Sequence, residues 1–249
     1  MKALRFLVLA LVLGLGAYAG YEFLEAPGNQ IFGRTLVSGP PSLREVALTF
    51  DDGPNAPYTD RILDVLERER VRATFFVVGR AVVAYPATVR RMARDGDAIG
   101  NHTWDHAHLI VQSRAAVRDE LQRTDAAVFR LTGRHTTLLR PPFGARDFAV
   151  LDEAKKLGYT VVMWSVPLPE DWEQPGVGTI VRRVVEHVAD GSIIVLHDGN
   201  RGLVCGRTLP SSLCDRSQDV AATKAIVDAL RARGYRFATI PQLLAARGT

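Results

Sequence analysis

Seven short apolar runs punctuate the chain, at 45–50, 73–78, 98–100, 138–140, 160–164, 192–196 and 236–239. They are too short for buried helices, and near-continuous hydrophobicity over so few residues is the pattern of a parallel strand covered on both faces. Between most of them the polar and apolar positions change to a helical period. In one stretch Ser113 stands as N-cap and Val117, Leu121, Val128 and Leu131 fall on one face. In another, about 219–233, Val220, Ile226, Val227 and Leu230 turn inward and Gly234 ends the helix. Strands alternating with helices predict a parallel sheet, either open and doubly wound or closed into a barrel.

Polar residues at the strand ends decide between the two. Asp51 and Asp52 follow the first run, His102 the third, Arg140 ends the fourth, Asp171 comes after the fifth and His197 after the sixth. An open sheet binds its ligand at one switch point, whereas a barrel gathers all its strand ends around one mouth. The expected fold is therefore α/β, a distorted, incomplete (β/α) barrel of about seven parallel strands. Residues 20–43 carry several Gly and Pro and read as spacer with a short strand near Ile31 to Val37; 44–249 reads as one catalytic domain.

The chemistry sits on these ends. Asp51-Asp52-Gly53-Pro54 closes the first strand, and His102-Thr-Trp-Asp-His106 brings two imidazoles spaced by four. One carboxylate with two imidazoles is the ligand set of an open catalytic divalent-metal site, zinc above all, although cobalt, nickel or manganese fit the same donors. The i, i+4 spacing lands both rings on one side of a helical turn. The second carboxylate is left to take a proton from water; which aspartate does which is open at the level of spacing. An acidic turn capping the next helix is the bland alternative, as are one surface and one core histidine.

Five ordered segments, Thr49-Phe-Asp-Asp-Gly-Pro54, His102–His106, Arg140-Pro-Pro-Phe-Gly144, Asp171-Trp172 and Leu196-His197, resemble the motifs of the polysaccharide deacetylases of the NodB-homology type (carbohydrate esterase family 4). The resemblance spans about 46–244. It implies a metal-dependent deacetylase with Asp51 as catalytic base and Asp52, His102 and His106 as metal ligands. It further implies that Arg140 orients Asp51, that the Phe143 amide donates to the oxyanion, and that His197, oriented by Asp171, is the general acid. Trp172 would wall the sugar and Leu196 would face the acetyl methyl. The family commonly has an earlier aspartate in the fourth motif; here Pro167-Leu-Pro-Glu-Asp-Trp172 lacks it, which leaves the shape of that loop and the choice of substrate open. The implied substrate is an N-acetylated amino-sugar polymer, peptidoglycan or chitin-like. Acetylated xylan, a small amide, or a non-catalytic exported glycan-binding protein are the alternatives.

Length and composition set the frame for this chemistry. The 249 residues can bury a large single core, and 47% hydrophobic with 23% charged residues is the balance of a folded domain. A formal charge of +4 with no Lys/Arg run interleaved with aromatics excludes a nucleic-acid partner, and would suit work near an anionic cell wall. Lys2 and Arg5 precede an apolar run from Phe6 to Tyr18, and Ala17-Tyr18-Ala19 has the form of a signal-peptidase site. Residues 1–19 are thus expected to be a cleaved export signal, or else an N-terminal membrane anchor; the protein would be secreted, periplasmic or bound to the cell wall. In an oxidising compartment Cys205 and Cys214, the only cysteines, would close a small disulfide loop. Two free thiols is the better reading if the chain is never exported.

Overall fold

In the computed structural model the described residues are 26–205 and 210–246, with Gly16 and Gly20 besides. Each expected run contains a strand: β1 (Glu45–Asp51), β2 (Thr74–Val77), β3 (Ala98–Asn101), β4 (Leu138–Leu139), β5 (Thr160–Val161), β6 (Ile193–His197) and β7 (Arg236–Phe237). All pairings between them are parallel, in the order β5-β4-β3-β2-β1-β6, with β7 against the start of β1.

The stretch expected to be spacer is part of this wall. Leu36 bridges Val162 in parallel and Ser38 bridges Ser192 antiparallel. The Leu36 N–H donates to Val161 O at 2.8 Å and the Gly39 N–H to Gly191 O at 2.7 Å. Residues 36–39 therefore link the β5 and β6 ends of the sheet and curl it into a distorted, incomplete barrel. Leu36 is buried in the same apolar cluster as Val162 and Ile193. Val37 packs against the same cluster, so two neighbouring apolar side chains and the backbone bonds bring this segment to the core.

Strand alternation sets which residues reach the barrel interior. Along β1, Val46, Leu48 and Phe50 pack outward among helix residues such as Ile62, Leu66 and Ile226. Ala47 packs inward with Ile193, Val195 and Phe76, and Thr49 and Asp51 share that face. In β6 the register pairs Thr49 with Val195 and Asp51 with His197. The two strands thus deliver a carboxylate and an imidazole to one end of the interior, side by side.

The helices follow their sequence signals. Arg114–Thr132 starts at Ser113, whose hydroxyl accepts from the Ala116 N–H, and ends at Gly133 with φ 68°. Ser217–Ala232 buries Ile226, Val227 and Leu230 as expected. Apart from Gly16, the apolar run at 6–18 lies outside the described residues, as does the cleavage boundary at Ala19. No described helix is long and apolar enough to cross a membrane.

Candidate active site

The loops that follow the strands leave regular structure within a residue or two. Asp52, Thr103, His106, Phe143 and Arg201 all have left-handed backbone, with φ between 48° and 76°. Such conformations cost free energy in non-glycine residues and are held only by their surroundings. Two glycines permit the tightest approach: a Cβ on Gly199 would lie 2.2 Å from Asp52 O, and one on Gly53 would lie 2.0 Å from Asp198 Oδ2. Only glycine lets the loop after β6 lie directly on the loop after β1. That contact brings the Arg201 N–H to Asp52 Oδ2 at 2.7 Å.

With one oxygen of Asp52 so fixed, the other, Oδ1, is buried without a hydrogen-bond partner. It lies 3.3 Å from His102 Nε2 and 3.0 Å from His106 Nε2. His102 Nδ1 is 2.6 Å from Arg140 O, so its proton is on Nδ1 and the Nε2 lone pair is free to ligate. The three donor atoms lie within 4.8 Å of one another. Burial works to raise the Asp52 carboxyl, but the adjoining His102 and His106 outweigh it and hold it well below the usual range. Burial presses His106 below the ordinary imidazole value, keeping it neutral as a ligand must be. An orphaned buried carboxylate oxygen facing two imidazole nitrogens fits a divalent cation.

The histidines do not share a helical turn. Residues 102–106 form an open bend, left-handed at Thr103 and His106. The Thr103 hydroxyl accepts from the Ala107 N–H at 3.2 Å, a local bond that competes with helix. Thr103 thereby holds the histidine loop. His108, five residues before the N-cap Ser113, stacks on Phe143 at 5.2 Å.

Asp51 is held separately. Arg140, fully buried inside the barrel, donates from Nη1 to Asp51 Oδ1 and to Thr49 Oγ1, both at 2.7 Å, and from Nη2 to Met163 O at 3.1 Å. Its guanidinium also lies 4.1 Å over the Phe76 ring. A buried arginine with its donors occupied in this way fixes one carboxylate oxygen in place.

Asp171 grips His197 twice: Oδ1 is 2.9 Å from Nδ1, and Oδ2 accepts from the backbone N–H at 2.6 Å. Burial alone would lower His197, but the Asp171 charge reverses this and pushes it up to about 9. Behind Asp171 lies Asp219, which no sequence pattern singles out. Burial, then the Asp171 charge, pushes its carboxyl well above the usual range.

These groups line one cavity of about 630 Å³, which holds Asp51, Asp52, His102, His106 and His197, with Phe143 and Trp172 at its rim. Trp172 is 41% exposed and meets His197 edge-on at 5.1 Å. Leu196 does not reach the cavity. It packs outward in the helix-facing cluster, and Val195 lines the cavity instead. The period of two explains the correction, because a residue on the same face as His197 must be two positions away, not one. Trp164, buried beyond β5, reaches the wall as well. Cys205 and Cys214 form a disulfide, and Asn55 Nδ2 and the Tyr85 hydroxyl donate to the carbonyls of Cys214 and Cys205.

A family model described as "Polysaccharide deacetylase" matches residues 38–162. The peptidoglycan-N-acetylglucosamine deacetylase PgdA of Listeria monocytogenes is 38% identical over 200 residues, covering 80% of this chain and 39% of that protein. The chain thus spans about two fifths of the length of that relative. A chitooligosaccharide deacetylase of Rhizobium leguminosarum bv. trifolii is 38% identical over 199 residues, covering 80% of this chain and 91% of the relative. Among solved structures, the Bc1960 peptidoglycan N-acetylglucosamine deacetylase superposes with a TM-score of 0.75 at 33% identity, over 84% of this chain and 92% of that one. A carbohydrate esterase family 4 pseudoenzyme from Bacillus anthracis has the same TM-score at 25% identity, over 85% and 69% of the two chains.

Proposed function

Because this chain belongs to the polysaccharide deacetylase family, we propose that it hydrolyses N-acetyl groups on amino-sugar residues of peptidoglycan or a chitin-like glycan. The observation that carries the reading is the register of β1 with β6, which pairs Asp51 with His197 beside the Asp52–His102–His106 cluster. Asp52, His102 and His106 would hold a divalent ion, zinc by its donor set, which supplies Lewis acidity toward the acetamide oxygen and water.

The side chains divide the remaining work. Asp51, its other oxygen engaged by Arg140, takes a proton from the water that attacks the carbonyl carbon. The Phe143 N–H donates to the oxyanion that develops. His197, protonated at neutral pH, gives its proton to the departing nitrogen as the C–N bond breaks, so that a neutral amine leaves with acetate. Val195 faces the acetyl methyl, and Trp172 offers an aromatic wall to the sugar ring. No covalent enzyme intermediate is needed. The cysteines are tied in a disulfide, as expected of a protein exported through an oxidising compartment toward such a glycan.

Acetate release from N-acetylchitooligosaccharides and peptidoglycan, with acetylated xylan as the ester control, tests the reading. Turnover of the amino-sugar glycans that is abolished by chelator and restored by zinc is expected. Asp51→Asn should lower kcat by about 10²–10⁴-fold. Preference for acetylxylan would move the reading to an esterase. Binding of glycan without turnover of any substrate by zinc-loaded protein would move it to a pseudoenzyme.

A further inference from the structure

A second cavity, of about 650 Å³, adjoins the first and shares Phe143, Trp164 and Leu168 with it. Its other walls are two segments outside the stretch matched by the family model: Ala26–Gly28 and Val37 on one side, Ser165–Glu170 on the other. Each segment is fastened by an arginine. Arg146, buried, donates from Nη2 to the carbonyls of Ala26 (2.8 Å), Pro27 (3.3 Å) and Asn29 (2.6 Å), and from Nη1 to Gly144 O (2.9 Å). Arg183 Nη1 donates to Pro169 O (2.8 Å) and Glu170 Oε2 (2.7 Å). The second segment is also the one whose sequence departs from the family's fourth motif.

We infer that this cavity is a subsite for the neighbouring sugar of the glycan strand, walled by the N-terminal segment that Arg146 holds in place. The inference rests on the glycan reading of the main site. A polymer whose acetylated residue enters the first cavity must leave it along a continuous surface, and the wall formed by Phe143, Trp164 and Leu168 is common to both. The chemistry suits a pyranose. Trp164, Pro27, Pro167 and Val37 present apolar faces to ring C–H groups, while the half-exposed Glu170 carboxylate offers an acceptor to hydroxyls. The volume lies in the range of small-ligand sites.

Gly28 permits a clean test, because a Cβ there meets no atom within 4 Å and its backbone is not left-handed. Gly28 lines the cavity, so Gly28→Trp adds bulk at its wall, on a segment that carries no catalytic group. Binding of di-N-acetylchitobiose and tetra-N-acetylchitotetraose is measured by calorimetry in the Asp51→Asn background, which removes dependence on turnover. The tetramer should bind at least tenfold more tightly than the dimer, and Gly28→Trp should erase that gain while leaving dimer affinity within about twofold. Arg146→Met, which frees the segment, should act in the same direction. Equal affinity for both lengths, or a length gain untouched by Gly28→Trp and Arg146→Met, overturns the subsite. Failure of the unaltered protein to release acetate from either oligomer would sink the deacetylase reading, and leaves this binding comparison to stand or fall by itself.

Discussion

Asp171 holds both the ring and the backbone of His197, with Oδ1 2.9 Å from Nδ1 and Oδ2 2.6 Å from the backbone nitrogen. A carboxylate spread over both groups fixes the tautomer and the direction of Nε2 together. It also leaves the imidazolium as the favoured form well above neutral pH, which is the form a proton donor needs.

That grip has a pH signature in metal-free protein. His197 is raised from 6.5 to about 9, so its contribution to stability is fully present below about pH 6.5 and is lost as pH rises through about 9. Asp198, buried against Thr59, is pushed up from 3.8 to about 7. Its contribution is present below about pH 4 and is lost through about 7, in the same direction. Urea unfolding of chelated protein should therefore show stability falling from about pH 7 to 9, above the range in which His106, lowered by burial, opposes the Asp198 contribution. Asp171→Asn should abolish the upper part of that fall. A stability that rises over this range would contradict the assignment.

The ligand cluster predicts a metal-binding phenotype separable from catalysis. His106→Gln removes a donor, and Asp52→Asn removes the charge while Oδ2 can still accept from Arg201. Each should weaken zinc affinity by more than the roughly 10–100-fold that losing an outer hydrogen-bond partner costs. Zinc at 100 times its Kd should stabilise the unaltered protein by about 2.7 kcal/mol, and the variants should show no such shift at the same concentration. Equilibrium dialysis and thermal melts read both. Unchanged affinity in the two variants would exclude these residues as ligands.

The disulfide bears on the site as well as on stability. It closes a separation of nine residues, worth about 2–3 kcal/mol in the chain-entropy account. The same loop follows directly on Asn200 and Arg201, and the Arg201 N–H fixes Asp52 Oδ2. Replacing both cysteines by serine should lower stability by about that amount, read by urea unfolding. It should also weaken zinc binding measurably, although neither cysteine is near enough to ligate.

Much of this arrangement is legible in the letters because strand ends and charged motifs coincide. Asp51, Asp52, His102, Arg140 and His197 each close or follow an apolar run, and a parallel barrel leaves them one mouth to share. What is not legible depends on contacts remote in sequence. The short strand expected near Ile31 to Val37 is present only as the Leu36 and Ser38 bridges, and that these close the β5 and β6 ends of the sheet is something no local pattern announces. Arg201 and Asp219 act through a backbone amide and a buried carboxyl, so their side-chain types carry no signal of the role. The His102–His106 bend escapes a helical reading because Thr103 bonds back to Ala107.

Counting in twos from His197 separates Val195 from Leu196, and the two make the sharpest pairwise test. Val195 lines the cavity on the same face of β6 as His197, so Val195→Phe should crowd the space beside the catalytic groups and raise KM or lower kcat by at least tenfold, at an overpacking cost of about 1–3 kcal/mol because Val195 is itself buried. Leu196 is buried among helix-facing residues such as Phe50 and Ile226. Leu196→Ala should cost about 2–5 kcal/mol of stability, while the protein that remains folded keeps its kcat. Acetate release and urea unfolding on the two variants decide it. The opposite pattern, a catalytic defect at Leu196 and none at Val195, would mean that β6 is out of register by one residue, and Asp51 would then no longer stand beside His197.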